Sequence, residues 1–276
     1  MTDRKINLKD GKKHVILMFD SGLEDPDFMN QTATSLHEAL SFNSKLADKF
    51  TFHGCAYKDT CTFSMGKTNL TVPNFVSSSY EDDHIFINHL VKNVDQVSRV
   101  FPNEAERPIF LFLTKRPLLV HRANNPQQAF QPWGHSYFNT YSIVSTSFWG
   151  KGEDFKTLLL HEFGHVLGAE KDRTDTVENL GAHCSCPDCV MQQKGMGELS
   201  QKRRERQRSQ KSPYCDDCCR SIIKHAVHIT GQTKEELLSS TRGRSSLRSP
   251  VQTRLTNGAH SSNSSIQKRM DKTGEK

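Results

Sequence analysis

The chain has 276 residues, of which 34% are hydrophobic and 25% charged, enough for one good-sized core with a small appended lobe. No apolar run approaches the roughly 18–20 residues that a membrane-spanning helix needs, so no membrane contact is expected. The basic N-terminus has only a short apolar run before Asp20 and does not resemble a secretory signal. We therefore expect a cytoplasmic protein whose eight cysteines are thiols or metal ligands rather than disulfides.

The net charge of +6 is unevenly distributed along the chain. From Lys194 onward there are 18 Lys and Arg against 8 Asp and Glu, whereas the first 193 residues carry a net charge of −4. Solvated loops and a tail are the favoured interpretation of the basic half. The second interpretation is weak contact with an anionic partner such as nucleic acid.

Hydrophobic patterning predicts strands that alternate with helices in the first 150 residues. The continuous apolar runs at His14–Asp20 and Ile109–Leu113 are typical of buried strands. A 3–4 residue period predicts one helix over Phe28–Phe50 and another over Phe86–Phe101. The β-branched and aromatic stretch "NTYSIVSTSFWG" (139–150) predicts a further strand. This order predicts an α+β fold with a mixed α/β layer.

A helix that is apolar on several faces is predicted to follow, with Asp154 as its N-cap and its end at Gly168. We predict three parts: an N-terminal subdomain over 12–168, a C-terminal subdomain over 169–238, and a basic tail over 239–276. The tail contains no aromatic residue and few aliphatic ones, so it cannot offset its ordering entropy and is predicted to be disordered.

The helix carries the sequence HEFGH. His161 and His165 are four residues apart and lie on one face, so both imidazoles can bind the same ion. Glu162 is placed to take a proton from a metal-activated water and deliver it to a leaving amine. This division of roles suits peptide-bond hydrolysis with zinc.

A catalytic zinc normally has a third protein ligand. In the compact arrangement HExxHxxGxxH the third ligand lies three residues after the glycine, but here that position is Lys171, a cation at neutral pH. Asp172 is one alternative, and Glu178 or Glu198 would serve if the ligand came from a later helix.

The cysteines form two clusters, "CSCPDC" and "CDDC", with spacings suited to a closed tetrahedral site. Local spacing alone favours Cys186 and Cys189 with Cys215 and Cys218. Cys219, next to Cys218, is a substitute.

With residues 170–181 looped out, the sequence reads HEFGHVLGAHCSCPDCVM and resembles the archaemetzincins. Their pattern is HExxHxxGxxHCxxxxCxM followed by a distant CxxC. Ten positions match in order: His161, Glu162, His165, Gly168, His183, Cys184, Cys189, Met191, Cys215 and Cys218. Two insertions depart from the pattern, one of about twelve residues after the helix and one of 23 residues between Met191 and Cys215. Loop-closure entropy grows slowly with length, so the first insertion does not forbid His183 from reaching the metal.

The resemblance implies a metzincin-like zinc peptidase with two zinc ions. His161, His165 and His183 would hold the catalytic zinc, with Glu162 as general base and Met191 in the turn beneath the metal. Cys184, Cys189, Cys215 and Cys218 would hold a structural zinc that helps to aim His183. The expected substrate is a peptide or small protein. The alternative function is a non-catalytic, zinc-stabilised protein that binds nucleic acid through the basic insert Lys202–Lys211 and the tail.

Overall fold

The computed structural model describes residues 3–8, 10–65, 68–73, 80–81, 83–101, 103–122, 125–147, 153–169, 183–192 and 212–238. All of these lie in one compact unit, residues 1–242, and the second unit, residues 243–276, lies outside them. The predicted disordered tail and the basic insert Lys202–Lys211 are also outside the described residues. The nucleic-acid interpretation and the proposed division after residue 168 therefore stay predictions.

Strands and helices alternate along the described chain. The strands are β1 (Asp3–Asn7), β2 (Lys13–Phe19), β3 (Phe50–Cys55), β4 (Thr60–Met65), β5 (Thr68–Pro73), β6 (Tyr80–Glu81), β7 (His84–Phe86), β8 (Ile109–Thr114), β9 (Leu118–Arg122), β10 (Asn125–Phe130), β11 (Gly134–Tyr137) and β12 (Tyr141–Ser145). The helices are α1 (Pro26–Ala39), α2 (Ser44–Ala47), α3 (Ile87–Ser98), α4 (Glu153–Val166), α5 (Asp216–Thr230) and α6 (Lys234–Leu238).

A five-stranded sheet in the order β11-β12-β8-β2-β3 organises the fold. β12, β8, β2 and β3 run parallel, and β11 pairs antiparallel at one edge. β2 and β8 are buried along their whole length, as their continuous apolar sequences predict for central parallel strands. A three-stranded sheet, β1-β4-β5, and a four-stranded sheet, β10-β9-β7-β6, complete the strands. The predicted mixed α/β class is confirmed.

The two faces of the central sheet bury separate apolar clusters. Side chains alternate along β2, so Val15 and Leu17 pack on one face while Ile16 and Met18 pack on the other. The first face is covered by α1, α4 and α5 and the second by α3. Residues of the C-terminal part, from Cys184 to Leu237, belong to the first cluster. They share a core with α4 instead of forming one of their own.

The predicted helix over Phe28–Phe50 is wrong in its extent. α1 ends at Ala39, and a separate short helix, α2, begins after Asn43. The Asn43 side chain caps α2 by accepting a hydrogen bond from the Leu46 N–H at 3.0 Å. Its amide also donates to the Leu237 carbonyl at 3.0 Å, a tertiary contact that local periodicity cannot reveal. Similarly, α3 ends at Ser98, three residues before Phe101.

The start of the long buried helix also differs slightly from the prediction. α4 begins at Glu153, so Asp154 lies inside its first turn. Gly168 has φ = 75°, which is the left-handed conformation expected of a residue that terminates a helix.

The burial of Lys13 on β2 can be tested through the pH dependence of stability. It is 1% exposed, and its Nζ donates to the Glu104 carbonyl at 2.8 Å. Burial, assisted by the nearby Arg107 charge, lowers the pKa of Lys13 to about 7. In the unfolded chain the pKa returns to about 10.4, so the folded protein binds fewer protons between these two values.

The free energy of unfolding should therefore rise with pH through this window, by on the order of 2 kcal/mol between pH 7 and 9. Lys13→Met removes the titrating group. Measured by urea unfolding, the free energy of unfolding should rise between pH 7 and pH 9 by that amount more in wild type than in Lys13→Met. It should rise equally in wild type and in the exposed-site control Lys12→Met. An equal difference between wild type and Lys13→Met at pH 7 and pH 9 would contradict this prediction.

Candidate metal centres

Three histidines converge at the C-terminal half of α4. The Nε2 atoms of His161 and His165 are 3.1 Å apart. The ring of His183 lies with its centroid 5.1 Å from each of the other two rings. One ligand atom from each histidine can be chosen so that all three lie within 4.8 Å of one another. The structure thus brings together the two histidines of the HEFGH segment and the distant histidine.

The orientation of His161 is fixed by a backbone contact. Its Nδ1 lies 2.8 Å from the carbonyl oxygen of Val190. A carbonyl can only accept a hydrogen bond, so Nδ1 carries the proton, and in the neutral ring Nε2 presents a lone pair. A ring N–H that donates to a backbone carbonyl is the usual support of a metal-binding histidine.

His165 is held in the neutral form that metal binding requires. Burial lowers the pKa of His165 well below its usual value, and the nearby His161, His183 and His135 lower it further. Neutral imidazole is a good zinc ligand. Zn–N bonds of about 2.0–2.1 Å in a tetrahedral site place nitrogens about 3.3 Å apart. The 3.1 Å between the two Nε2 atoms fits this geometry.

Glu162 lies beside the histidines in a dry environment. Its side chain is 6% exposed, and burial raises the pKa of its carboxyl to about 7, although the hydrogen bond from Ser136 opposes the shift. Ser136 Oγ donates to Glu162 Oε2. The carboxyl therefore titrates near neutrality, where a group can both accept and release a proton.

Four cysteine sulfurs form a second centre. Cys184 Sγ lies 3.6 Å from Cys215 Sγ, and Cys189 Sγ lies 3.6 Å from Cys218 Sγ. All four sulfurs lie within 4.8 Å of one another and their side chains are buried. Zn–S bonds of about 2.3 Å in a tetrahedron imply sulfur separations of about 3.8 Å, so the group has the size of a closed four-thiolate zinc site.

The chemistry of these thiols also favours a cation. Sulfur hydrogen bonds within the group lower the pKa of Cys184 to about 6 and lower that of Cys215 as well, whereas they raise the pKa values of Cys189 and Cys218. Crowding of the four sulfurs therefore opposes their simultaneous ionisation. A divalent ion would stabilise all four as thiolates.

A short segment, His183–Met191, joins the two centres, and we call it the bridging loop. It supplies His183 to the first centre and Cys184 and Cys189 to the second, while its Val190 carbonyl holds His161. Its ends are closed by a hydrogen bond from the Cys184 N–H to the Met191 carbonyl at 2.9 Å.

α4 rests on this loop and on Tyr214. The Tyr214 hydroxyl donates to the Leu160 carbonyl at 2.8 Å, one residue before His161. A Cβ added at Gly164 would lie 2.2 Å from Met191 Sδ and 2.8 Å from Tyr214 Cε1. Gly164 is therefore the point at which Met191 and Tyr214 approach the helix between His161 and His165.

Only some of the predicted site residues lie within the part of the chain that the structure describes. Cys186 and Cys219 are described but lie outside the four-sulfur group, so the geometry favours Cys184 over the choice that local spacing suggested. The alternative third ligands Asp172, Glu178 and Glu198 lie outside the described residues.

The roles of Ser136, Gly134, Tyr214 and the Val190 carbonyl were not predicted from the sequence. Gly164 carried a usable signal, since a glycine inside a helix costs about 1 kcal/mol relative to alanine and points to a close approach. The other four carried none, because their contacts join segments far apart in the chain.

Within the described part of the chain, no helix has the length and apolar character needed to span a membrane. No family model and no curated protein matches the chain. Among solved structures, it is similar to an archaemetzincin from Methanopyrus kandleri, with a TM-score of 0.45, 16% identity, and coverage of 79% of this chain and 97% of that one. It is also similar to a zinc-dependent peptidase from Methanocorpusculum labreanum, with a TM-score of 0.39, 17% identity, and coverage of 75% and 99%. Because both TM-scores are below 0.5, these similarities do not identify the function of the chain.

Gly164→Ala tests the contact beneath α4. In an ordinary helix this change stabilises by about 1 kcal/mol. Here the added methyl overlaps Met191 and Tyr214, so we expect a destabilisation of about 1–3 kcal/mol in urea unfolding at saturating zinc.

The cost should shrink in a Met191→Ala background, where space is available. A stabilising Gly164→Ala, or the same cost in both backgrounds, would contradict the packing described.

Proposed function

We propose that the chain is a zinc-dependent peptidase that hydrolyses peptides or small proteins. The observation that carries this proposal is the convergence of His161, His165 and His183 beside the buried carboxyl of Glu162. Three imidazoles with an adjacent carboxylate are a common protein contribution to zinc hydrolysis.

The catalytic zinc would be held by His161, His165 and His183, with Glu162 left unbound. When bound, zinc would lower the pKa of a coordinated water and polarise the scissile carbonyl. Imidazole ligands suit zinc.

Glu162 is the proton carrier in this proposal. Its carboxylate would accept a proton from the attacking water and then donate it to the nitrogen of the leaving amine. Burial supports this role, because a carboxyl with a pKa of about 7 holds a proton at neutral pH as readily as it gives one up.

A second zinc would be held by Cys184, Cys189, Cys215 and Cys218. Four thiolates fill a tetrahedral site and leave no position for water, so this zinc would be structural. It would fix the bridging loop and, through it, the position of His183 and the carbonyl that orients His161. Met191, at the end of the same loop, would form the floor beneath the catalytic metal.

Substitution of Glu162 tests the hydrolytic proposal. Glu162→Gln keeps the size of the side chain but cannot accept the proton, so kcat on a fluorogenic peptide library should fall by about 10²–10⁴-fold. Zinc content, measured by plasma mass spectrometry, should stay at the wild-type value.

The matched control is Glu38→Gln, which makes the same change at an exposed position on α1. It should leave both activity and zinc content unchanged. Unaltered turnover in Glu162→Gln would refute the assignment.

The two proposed centres should respond asymmetrically to loss of a ligand. His183→Ala should reduce two zinc ions per chain to one and remove activity, because the cysteine centre does not depend on it. Cys218→Ser should release the structural zinc and also weaken the histidine site, because the bridging loop loses its anchor. Cobalt substitution separates the centres, since thiolate and imidazole ligands give different absorption spectra.

Two neighbouring positions provide controls for the metal measurement. Cys219→Ser alters a thiol next in sequence to Cys218 but outside the four-sulfur group, and His228→Ala removes an exposed imidazole on α5. Both should retain two zinc ions. Loss of one ion in Cys219→Ser would instead place that sulfur among the ligands.

A further inference from the structure

Glu162 projects from α4 onto the edge strand of the central sheet. β11 pairs with β12 so that Gly134 lies opposite Val144 and Ser136 lies opposite Ser142. Side chains alternate along a strand, so Gly134 and Ser136 share the face that packs against α4. Both positions meet the carboxyl group.

Gly134 provides space for the Glu162 side chain. A Cβ added at Gly134 would lie 2.5 Å from Glu162 Oε1 and 2.6 Å from both Cγ and Cδ. These separations are far below van der Waals contact. The glutamate therefore lies flat across the strand at a position where any larger residue would displace it.

Ser136 holds the other side of the same carboxyl. Its hydroxyl lies 2.5 Å from Glu162 Oε2 and 3.1 Å from the Glu162 backbone carbonyl. In the part of the chain that the structure describes, Ser136 is the one side-chain hydrogen-bond partner of this carboxylate. A hydroxyl has a single proton to donate, so one carboxylate oxygen is engaged and the other is left available.

We propose that Gly134 and Ser136 are positioning residues that orient the Glu162 carboxylate for proton transfer. Ser136 engages Oε2, the space at Gly134 accommodates Oε1, and Oε1 is thereby the oxygen that takes and returns the proton. Neither residue is a metal ligand or a proton carrier. This inference rests on the proposed peptidase function.

Ser136→Ala is the principal test, and the strand next to it supplies a matched control. Ser142 lies directly opposite on β12 and is buried, but its hydroxyl has no hydrogen-bond partner within the described residues. Ser142→Ala thus removes the same group from the same face without removing a contact to Glu162. Ser136→Thr keeps the hydroxyl and suits a strand.

In peptide hydrolysis we expect Ser136→Ala to lower kcat by about 10- to 100-fold, the usual cost of losing a supporting hydrogen bond. KM and zinc content should be unchanged. Ser136→Thr should restore most of the loss, and Ser142→Ala should match wild type. Gly134→Ala should lower kcat further than Ser136→Ala while retaining zinc.

Binding of acetohydroxamate to the zinc-loaded protein gives a readout that needs no turnover. The acid would bind the zinc as its anion, and the Glu162 carboxylate would accept the proton that its O–H group gives up. Calorimetry should show Kd raised by about 10-fold in Ser136→Ala and unchanged in Ser142→Ala.

The outcomes separate this inference from the peptidase proposal. If wild type cleaves no peptide but Ser136→Ala weakens acetohydroxamate binding, the peptidase proposal fails and the positioning role stands. Equal Kd in Ser136→Ala and wild type would overturn the positioning role, and so would equal kcat if wild type cleaves peptide. Equal losses in Ser136→Ala and Ser142→Ala would overturn it too, since they would indicate a purely structural effect.

Discussion

The bridging loop, His183–Met191, is the constraint on which both centres depend. Its Val190 carbonyl accepts the Nδ1 proton of His161 at 2.8 Å, which fixes the ring and directs its lone pair toward His165. The same loop carries His183 beside Cys184, so one peptide bond connects the histidine group to the cysteine group. Because the loop packs into the core shared with α4, it has little freedom to adjust.

Burial shifts the pKa values of the titratable side chains around the histidines. Charged groups are costly in an apolar interior, so burial lowers the pKa of His165 and raises the pKa of Glu162 to about 7. Neutral nitrogen lone pairs and crowded thiols are both stabilised by a divalent cation. Desolvation thus acts on His165 and on the neighbouring carboxyl of Glu162, both of which α4 carries.

The sequence predicted those features that depend on local spacing. Continuous apolar runs predicted β2 and β8, and the four-residue interval placed His161 and His165 on one face of α4. Long-range contacts could not be derived in this way. Periodicity alone gives no reason for α1 to end before Asn43, because one reason is a hydrogen bond to Leu237 near the far end of the described chain. His183 was singled out through a family resemblance, and local spacing preferred Cys186 to Cys184. The contact of Ser136 with Glu162 depends on which face of β11 meets the helix, a register that four residues of sequence do not specify.

Gly168 has a consequence for how this scaffold could be redesigned. Its left-handed backbone ends α4 at a fixed point, and a residue with a side chain there would collide with Phe138 and His225. Any redesign that moves the end of α4 must therefore keep a glycine at position 168, or make room for a new side chain by trimming both of these neighbours.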